Sequence, residues 1–125
     1  MEIDNQIDPS LIIAADKDLM QIVANNLLNN AIKYGVDGGR IVLTSRDKGE
    51  FVTIEVYNDS RPITEEMKDQ LFKKFSRLDV PEKKNVKGSG LGLYITKQIV
   101  EAHGGSIRVE PRANGNSFIF SIRKG

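Results

Sequence analysis

The 125-residue chain has no cysteine, so neither a disulfide framework nor a thiolate metal site can be built from it. His103 is the only histidine, and neither a zinc cluster nor a Ser-His-Asp triad can be assembled around it. No apolar run approaches the length that spans a bilayer, and Met1 starts no signal-like segment, so the piece reads as soluble. Neither sign of charge dominates: 18 Lys and Arg face 17 Asp and Glu for a formal balance of +1, which gives no general attraction to nucleic acid. Repeats and low-complexity tracts are lacking too. What remains is an ordinary hydrophobic fraction in a length that suits one domain with one core.

Glycine, by contrast, is concentrated. Lys87 to Leu93 reads KGSGLGL and runs into YITKQIVEAHGG, a glycine-punctuated loop opening onto an amphipathic helix. Gly88, Gly90 and Gly92 allow close backbone approach, and the unpaired N–H groups of a helix start favour an anion, so a polyphosphate would sit here. A second segment, NNLLNNAIKYG from Asn25 to Gly35, lies in a helical stretch beginning about Asp16. Asn26 and Asn30 are four apart and share a helix face, with Lys33 and Tyr34 close beside them. Ile22, Val23, Leu27, Leu28, Ala31 and Ile32 supply the apolar stripe. Asparagine is a poor interior helix former; Asn25 and Asn29 fit a solvated face, whereas Asn26 and Asn30 each offer an oxygen for a hard cation and an N–H for a phosphate.

The remaining elements follow from local signals. Leu11 to Ala14 reads as a short strand, with Asp16 as N-cap of the first helix. Ile41 to Arg46 and Phe51 to Tyr57 form a hairpin across Asp47-Lys48-Gly49-Glu50, with Val52, Ile54 and Val56 facing the helices. Thr64 to Phe75 is a helix with a Thr-Glu-Glu start, and Leu91 to His103 another stopped by Gly104-Gly105. Ile107 to Glu110 and Ser117 to Arg123 close the sheet around a turn at Asn114-Gly115.

The order NLLNNAIKY, FKKFSRL, GSGLGLYITKQIVEAHGGSI and NGNSFIFSI resembles the ATP-binding catalytic domain of sensor histidine kinases, over about Asp16 to Ile122. The resemblance implies an α/β sandwich, a mixed sheet covered on one face by helices, of the Bergerat type shared with DNA gyrase, a heat-shock chaperone and mismatch-repair ATPases. It implies ATP and Mg2+ as ligands. Asn30 matches the asparagine that helps hold magnesium, and Asn26 the one a turn earlier; Lys33 would reach the phosphates and Tyr34 would lie along adenine or ribose. Ile63, Phe75 and Leu93 would line the apolar pocket, though each also suits plain core, and Gly88, Ser89, Gly90, Leu91 and Gly92 would form the phosphate loop. His103 matches a helix-ending His-Gly-Gly and is expected to be structural. Ser76 to Gly88, with Arg77, Lys83, Lys84 and Lys87, reads as a lid that folds over phosphates.

One box departs from the family pattern. Where relatives carry Asp-x-Gly-x-Gly, this chain reads VYNDSRPI, placing Asn58, Ser60 and Pro62 at the matching positions. Asn58 can accept a hydrogen bond from the adenine amino group without a carboxylate's charge assistance, and Asp59 is a second candidate for the base. Ser60 and Pro62 do not readily take positive φ, so the loop must follow another path.

The resemblance implies transfer of the γ-phosphoryl group to a histidine on a separate, dimerising helical domain, with a response regulator downstream. Asn26 stands where hydrolysing relatives place a glutamate base, so very slow ATP hydrolysis is expected. Nothing before Asp16 supplies the phosphoacceptor hairpin; the chain reads as an excised C-terminal domain of one unit, 1–125, monomeric and inactive in autophosphorylation by itself. The family places it in the bacterial cytoplasm. The alternative is a nucleotide-sensing or partner-binding module that keeps the fold and has lost transfer; a gyrase-like or chaperone-like ATPase is disfavoured by Asn26 and the short chain.

Overall fold

A computed structural model describes residues 2–9, 15–36, 38–73 and 92–124. Their five strands form a single sheet in the order β1-β2-β3-β5-β4. Strand β1 (Glu2–Asn5) runs parallel to β2 (Arg40–Asp47), and the pairs of β2 with β3 (Phe51–Asp59), β3 with β5 (Gly115–Arg123) and β4 (Ser106–Pro111) with β5 are antiparallel. The sheet is mixed because of β1, which the sequence reading did not anticipate. The expected strand at Leu11–Ala14 lies outside the described residues, as does the expected lid at Ser76–Gly88.

Period-two alternation decides which side of the sheet is covered. On β3, Val52, Val56 and Asn58 are buried, and Ile54 packs against the core from the same side. Phe118, Phe120 and Ile122 of β5 continue that face. Helices α1 (Lys17–Tyr34) and α3 (Gly92–Ala102) pack against each other, and both meet the sheet, α1 on β3 and α3 on β4 and β5. The opposite face mixes polar groups with the buried Ile119: Ser117 Oγ donates to Glu55 at 2.6 Å, Arg112 reaches the same carboxylate at 3.6 Å, and Arg40 lies over the Tyr57 ring. Helices thus cover one face, as the α/β sandwich requires.

Helix α1 starts as expected: Asp16 is its N-cap, its carboxylate accepting from Leu19 N at 3.0 Å, which satisfies one of the helix's unpaired donors. Val23, Leu27 and Ala31, four apart, are buried, each large side chain contributing about 1.5–3 kcal/mol. The apolar stripe is narrower than its composition implies, since Ile22 and Ile32 are 42% and 49% exposed. Each lies about 100° round the helix from a buried neighbour, outside the sector that the sheet and α3 cover.

The helix expected over Thr64–Phe75 is shorter. Thr64 caps it, accepting from Met67 N at 3.2 Å, but α2 spans only Glu65–Gln70. Lys73 N then donates to Gln70 O in a tighter turn, while Leu71 enters the core and Phe72 meets Phe118 edge-on with ring centroids 6.2 Å apart. His103 is structural, as expected. Its Nε2 accepts from Asp16 N at 3.2 Å, while Nδ1 lies 2.8 Å from Ile99 O, to which it can only donate. That pairing requires the neutral tautomer with the proton on Nδ1, and it ties the end of α3 to the start of α1.

Candidate functional site

Of the sequence candidates among the described residues, Asn26, Asn30, Lys33 and Tyr34 lie on the second half of α1, Gly92 and Leu93 at the start of α3, Asn58 and Asp59 at the end of β3 and Ile63 in the loop after it, and α1 packs against both α3 and β3. Asn26 and Asn30 are half-buried, whereas Asn25 and Asn29 are exposed, the division that their helix positions suggested. Asn26 Nδ2 donates to Gly92 O and to Thr96 Oγ1, both at 3.2 Å, and Thr96 Oγ1 donates to Gly92 O at 2.8 Å. Because a carbonyl can only accept, this network fixes which way the amide points. Its nitrogen is committed to α3, so what Asn26 presents elsewhere is its oxygen; the N–H expected to reach a phosphate is used inside the fold. Thr96, fully buried, is the group that sequence reasoning missed here, and a hydroxyl among the apolar positions of α3 was the available signal.

One turn on, the Asn30 side chain makes no hydrogen bond among the described residues. Two amide oxygens on one helix face, beside the first turn of α3, are donors suited to a hard cation. Among the described residues no group of His, Cys, Asp or Glu could hold a metal, so a cation placed here would draw negative charge from a bound anion. A metal–triphosphate pair fits this donor set and a free cation does not. Lys33 is exposed at the same end of α1 and Tyr34 half-buried. Gly92 is the first residue of α3 and Leu93 packs against the core. Ile63 is buried in the main core cluster, where it serves packing first. Phe75, Arg77, Lys87, Gly88, Ser89, Gly90 and Leu91 lie outside the described residues.

The two candidates for the base part company. Asn58 is 3% exposed and lies on the helix side of the sheet. Asp59, one residue on, turns to the opposite face, where Oδ1 accepts from Tyr57 OH at 2.7 Å and Oδ2 from Arg40 N at 3.0 Å. The structure does not bring Asp59 to the site. The Tyr57 hydroxyl first, then the Arg40 amide, hold its carboxyl below the usual 3.8, while burial and the adjoining carboxylate push Tyr57 up. A carboxyl depressed by folding stabilises the fold above its unfolded value and loses that contribution as pH falls through the lower folded value. Asp59→Asn should therefore cost stability at pH 7, and that cost should shrink as pH falls below 3.8, a convergence that urea melts across that range would show.

Ser60 and Pro62 follow their loop path with help from β5. Asn116, paired with Asn58 across β3 and β5, accepts from Ile63 N at 2.9 Å and donates through Nδ2 to Ser60 Oγ and Arg61 O, also at 2.9 Å. Its amide is fully used, and Ser60 and Asn116 are both buried. The course of this loop is thus held by a side chain 55 residues away. Asn116→Ala leaves the Ile63 N–H and Arg61 carbonyl without these partners, and should cost about 2–4 kcal/mol, read as a fall in the urea midpoint at unchanged slope.

Residues 15–125 match the model of the histidine kinase-, DNA gyrase B- and HSP90-like ATPase family, and the chain belongs to that family. The relatives it resembles are sensor kinases. It is 36% identical over 111 residues to the probable sensor kinase SilS of Salmonella typhimurium, matching 89% of this chain and 22% of that protein. It is 34% identical over 110 residues to the sensor histidine kinase CusS of Escherichia coli K12, matching 88% and 23%. The chain thus spans under a quarter of these relatives. Among solved structures it is similar to the catalytic domain of histidine kinase ThkA, with a TM-score of 0.84 and 36% identity over 98% of this chain and 78% of that one. ThkA is also seen in complex with the response regulator TrrA, with a TM-score of 0.80 and 34% identity over 98% of this chain and 34% of that one. In fold and in sequence alike, the chain is similar to histidine kinase catalytic domains.

Proposed function

We propose that this chain, one domain, binds Mg-ATP between α1, α3 and the end of β3 and donates the γ-phosphoryl group to a histidine on a separate helical dimerisation domain. The observation that carries the reading is the amide pair on α1: Asn26, its oxygen presented by the bonds to Gly92 and Thr96, and Asn30, its side chain unbonded among the described residues. A magnesium ion bound with the nucleotide would supply charge neutralisation at the phosphate oxygens. Asn30 and Asn26 would orient that ion through oxygen, Lys33 would meet phosphate charge, and the turn at Gly92 would bring backbone close to the triphosphate. Asn26 cannot accept a proton, so water is not activated and hydrolysis stays slow; an acceptor imidazole brings its own nucleophilic nitrogen. The phosphoryl group passes to that nitrogen and ADP leaves.

The partners that follow are the phosphoacceptor hairpin and a response regulator, in a cytoplasmic setting, with the isolated domain a monomer. No helix among the described residues is long and apolar enough to cross a membrane. The test is to add the cognate hairpin domain in trans with labelled ATP: acid-labile phosphohistidine on the hairpin is expected, with none on His103. Binding of ATP without transfer would favour the second reading, a nucleotide-sensing module, to which the altered loop at Ser60 and Pro62 points.

A further inference from the structure

Two asparagines face each other across the register pair Asn58 and Asn116, and their amides are in opposite states. Asn116 is locked by its three bonds to the Ser60–Ile63 loop. The Asn58 side-chain amide, by contrast, bonds no protein group among the described residues, although its backbone carbonyl accepts from Ser60 Oγ at 3.5 Å. The residue is 3% exposed, yet no described side-chain polar atom is both sealed and unbonded. The Asn58 amide tip therefore reaches an accessible space on the helix side of the sheet.

An amide with no partner can take either orientation at little cost, because its oxygen and nitrogen have nearly the same shape and opposite hydrogen-bonding roles. Adenine presents a 6-amino donor beside the N1 acceptor. Hypoxanthine and guanine present the reverse, a 6-oxo acceptor beside an N1–H donor. Turned one way, Asn58 complements the first; turned over, it complements the second. A carboxylate at this position accepts only, and would oppose a 6-oxo group with charge. Asp59 cannot supply that selection, being bonded on the other face.

We propose that this site takes 6-oxopurine nucleoside triphosphates alongside ATP, with residue 58 as the determinant of base selectivity. The inference rests on the nucleotide-binding reading given above. Inosine triphosphate is the sharp probe, since it changes the 6-position without adding the 2-amino group of guanine. Calorimetric titration of the wild-type chain with magnesium and either ATP or ITP should give affinities within tenfold of each other. In Asn58→Asp the preference for ATP should grow by tenfold or more, mainly through loss of ITP. A wild-type preference for ATP beyond tenfold overturns the proposal, as does an unchanged ratio in Asn58→Asp. Should that variant fail to fold, the wild-type ratio decides alone. Failure to bind either nucleotide defeats the nucleotide reading itself and this proposal with it, whereas binding of ATP with rejection of ITP defeats only the latter.

Discussion

Asn30→Ala is expected to weaken magnesium-dependent ATP binding about ten- to a hundredfold, the worth of one bond from a neutral oxygen to a charged group, while leaving the melting temperature nearly unchanged. The amide is half-buried and makes no bond among the described residues, so its removal takes little from the fold. Asn26→Ala should behave differently, because Asn26 Nδ2 also ties α1 to Gly92 and Thr96 of α3. That variant should lose both affinity and stability. The diagnostic is a titration of each protein with ATP, with and without EDTA. Asn30→Ala should lose less than the wild type when magnesium is removed, since one of the two amide contacts the ion mediated is already gone. Equal magnesium dependence in Asn30→Ala and the wild type would remove the amide pair from the mechanism.

What could be read from the sequence is what local chemistry encodes. The Asp16 and Thr64 caps, the Asp47–Glu50 hairpin and the stop after Ala102 each rest on residues within a turn of one another, and each is in place. Parallel pairing leaves no such mark. Strand β1 joins β2 across more than 30 intervening residues, with no turn to announce it, and its burial pattern is exposed throughout. Periodicity names the apolar residues of α1 but not which sector is covered, so Ile22 and Ile32 belong to the stripe by spacing and yet stand outward. At the site, the amides of α1 were legible because helix spacing alone aligns them. The Asn116 clamp was not, because its partners are more than 50 residues away. Its trace was present all the same: an asparagine inside a strand, where that residue is disfavoured, calls for a reason.

The largest effect on stability is expected from Gly105→Ala. Helix α3 ends in a Schellman motif, with Gly104 N donating to Glu101 O and Gly105 N to Val100 O, and Gly104 takes φ 74° to make the turn. Gly105 serves a different need: a β-carbon there would fall on the carbonyl of Ser121 in β5. Ser121 is held between Thr53 of β3 and Ser106 of β4, so the obstacle is backbone in the middle of a sheet and cannot swing aside. Either β4 separates from β5 or the helix end moves, and α3 carries Gly92 and Thr96 with it. A cost of roughly 3 kcal/mol or more is expected, lowering the melting temperature by about 10 °C or more. Gly104→Ala is the control. It meets only the flexible Arg123 side chain and pays for the left-handed backbone alone, about 1–2 kcal/mol. Thermal unfolding followed by far-UV circular dichroism ranks the two. A Gly105→Ala protein that melted within a degree or two of the wild type would mean that the helix end and β5 do not meet as closely as this fold requires.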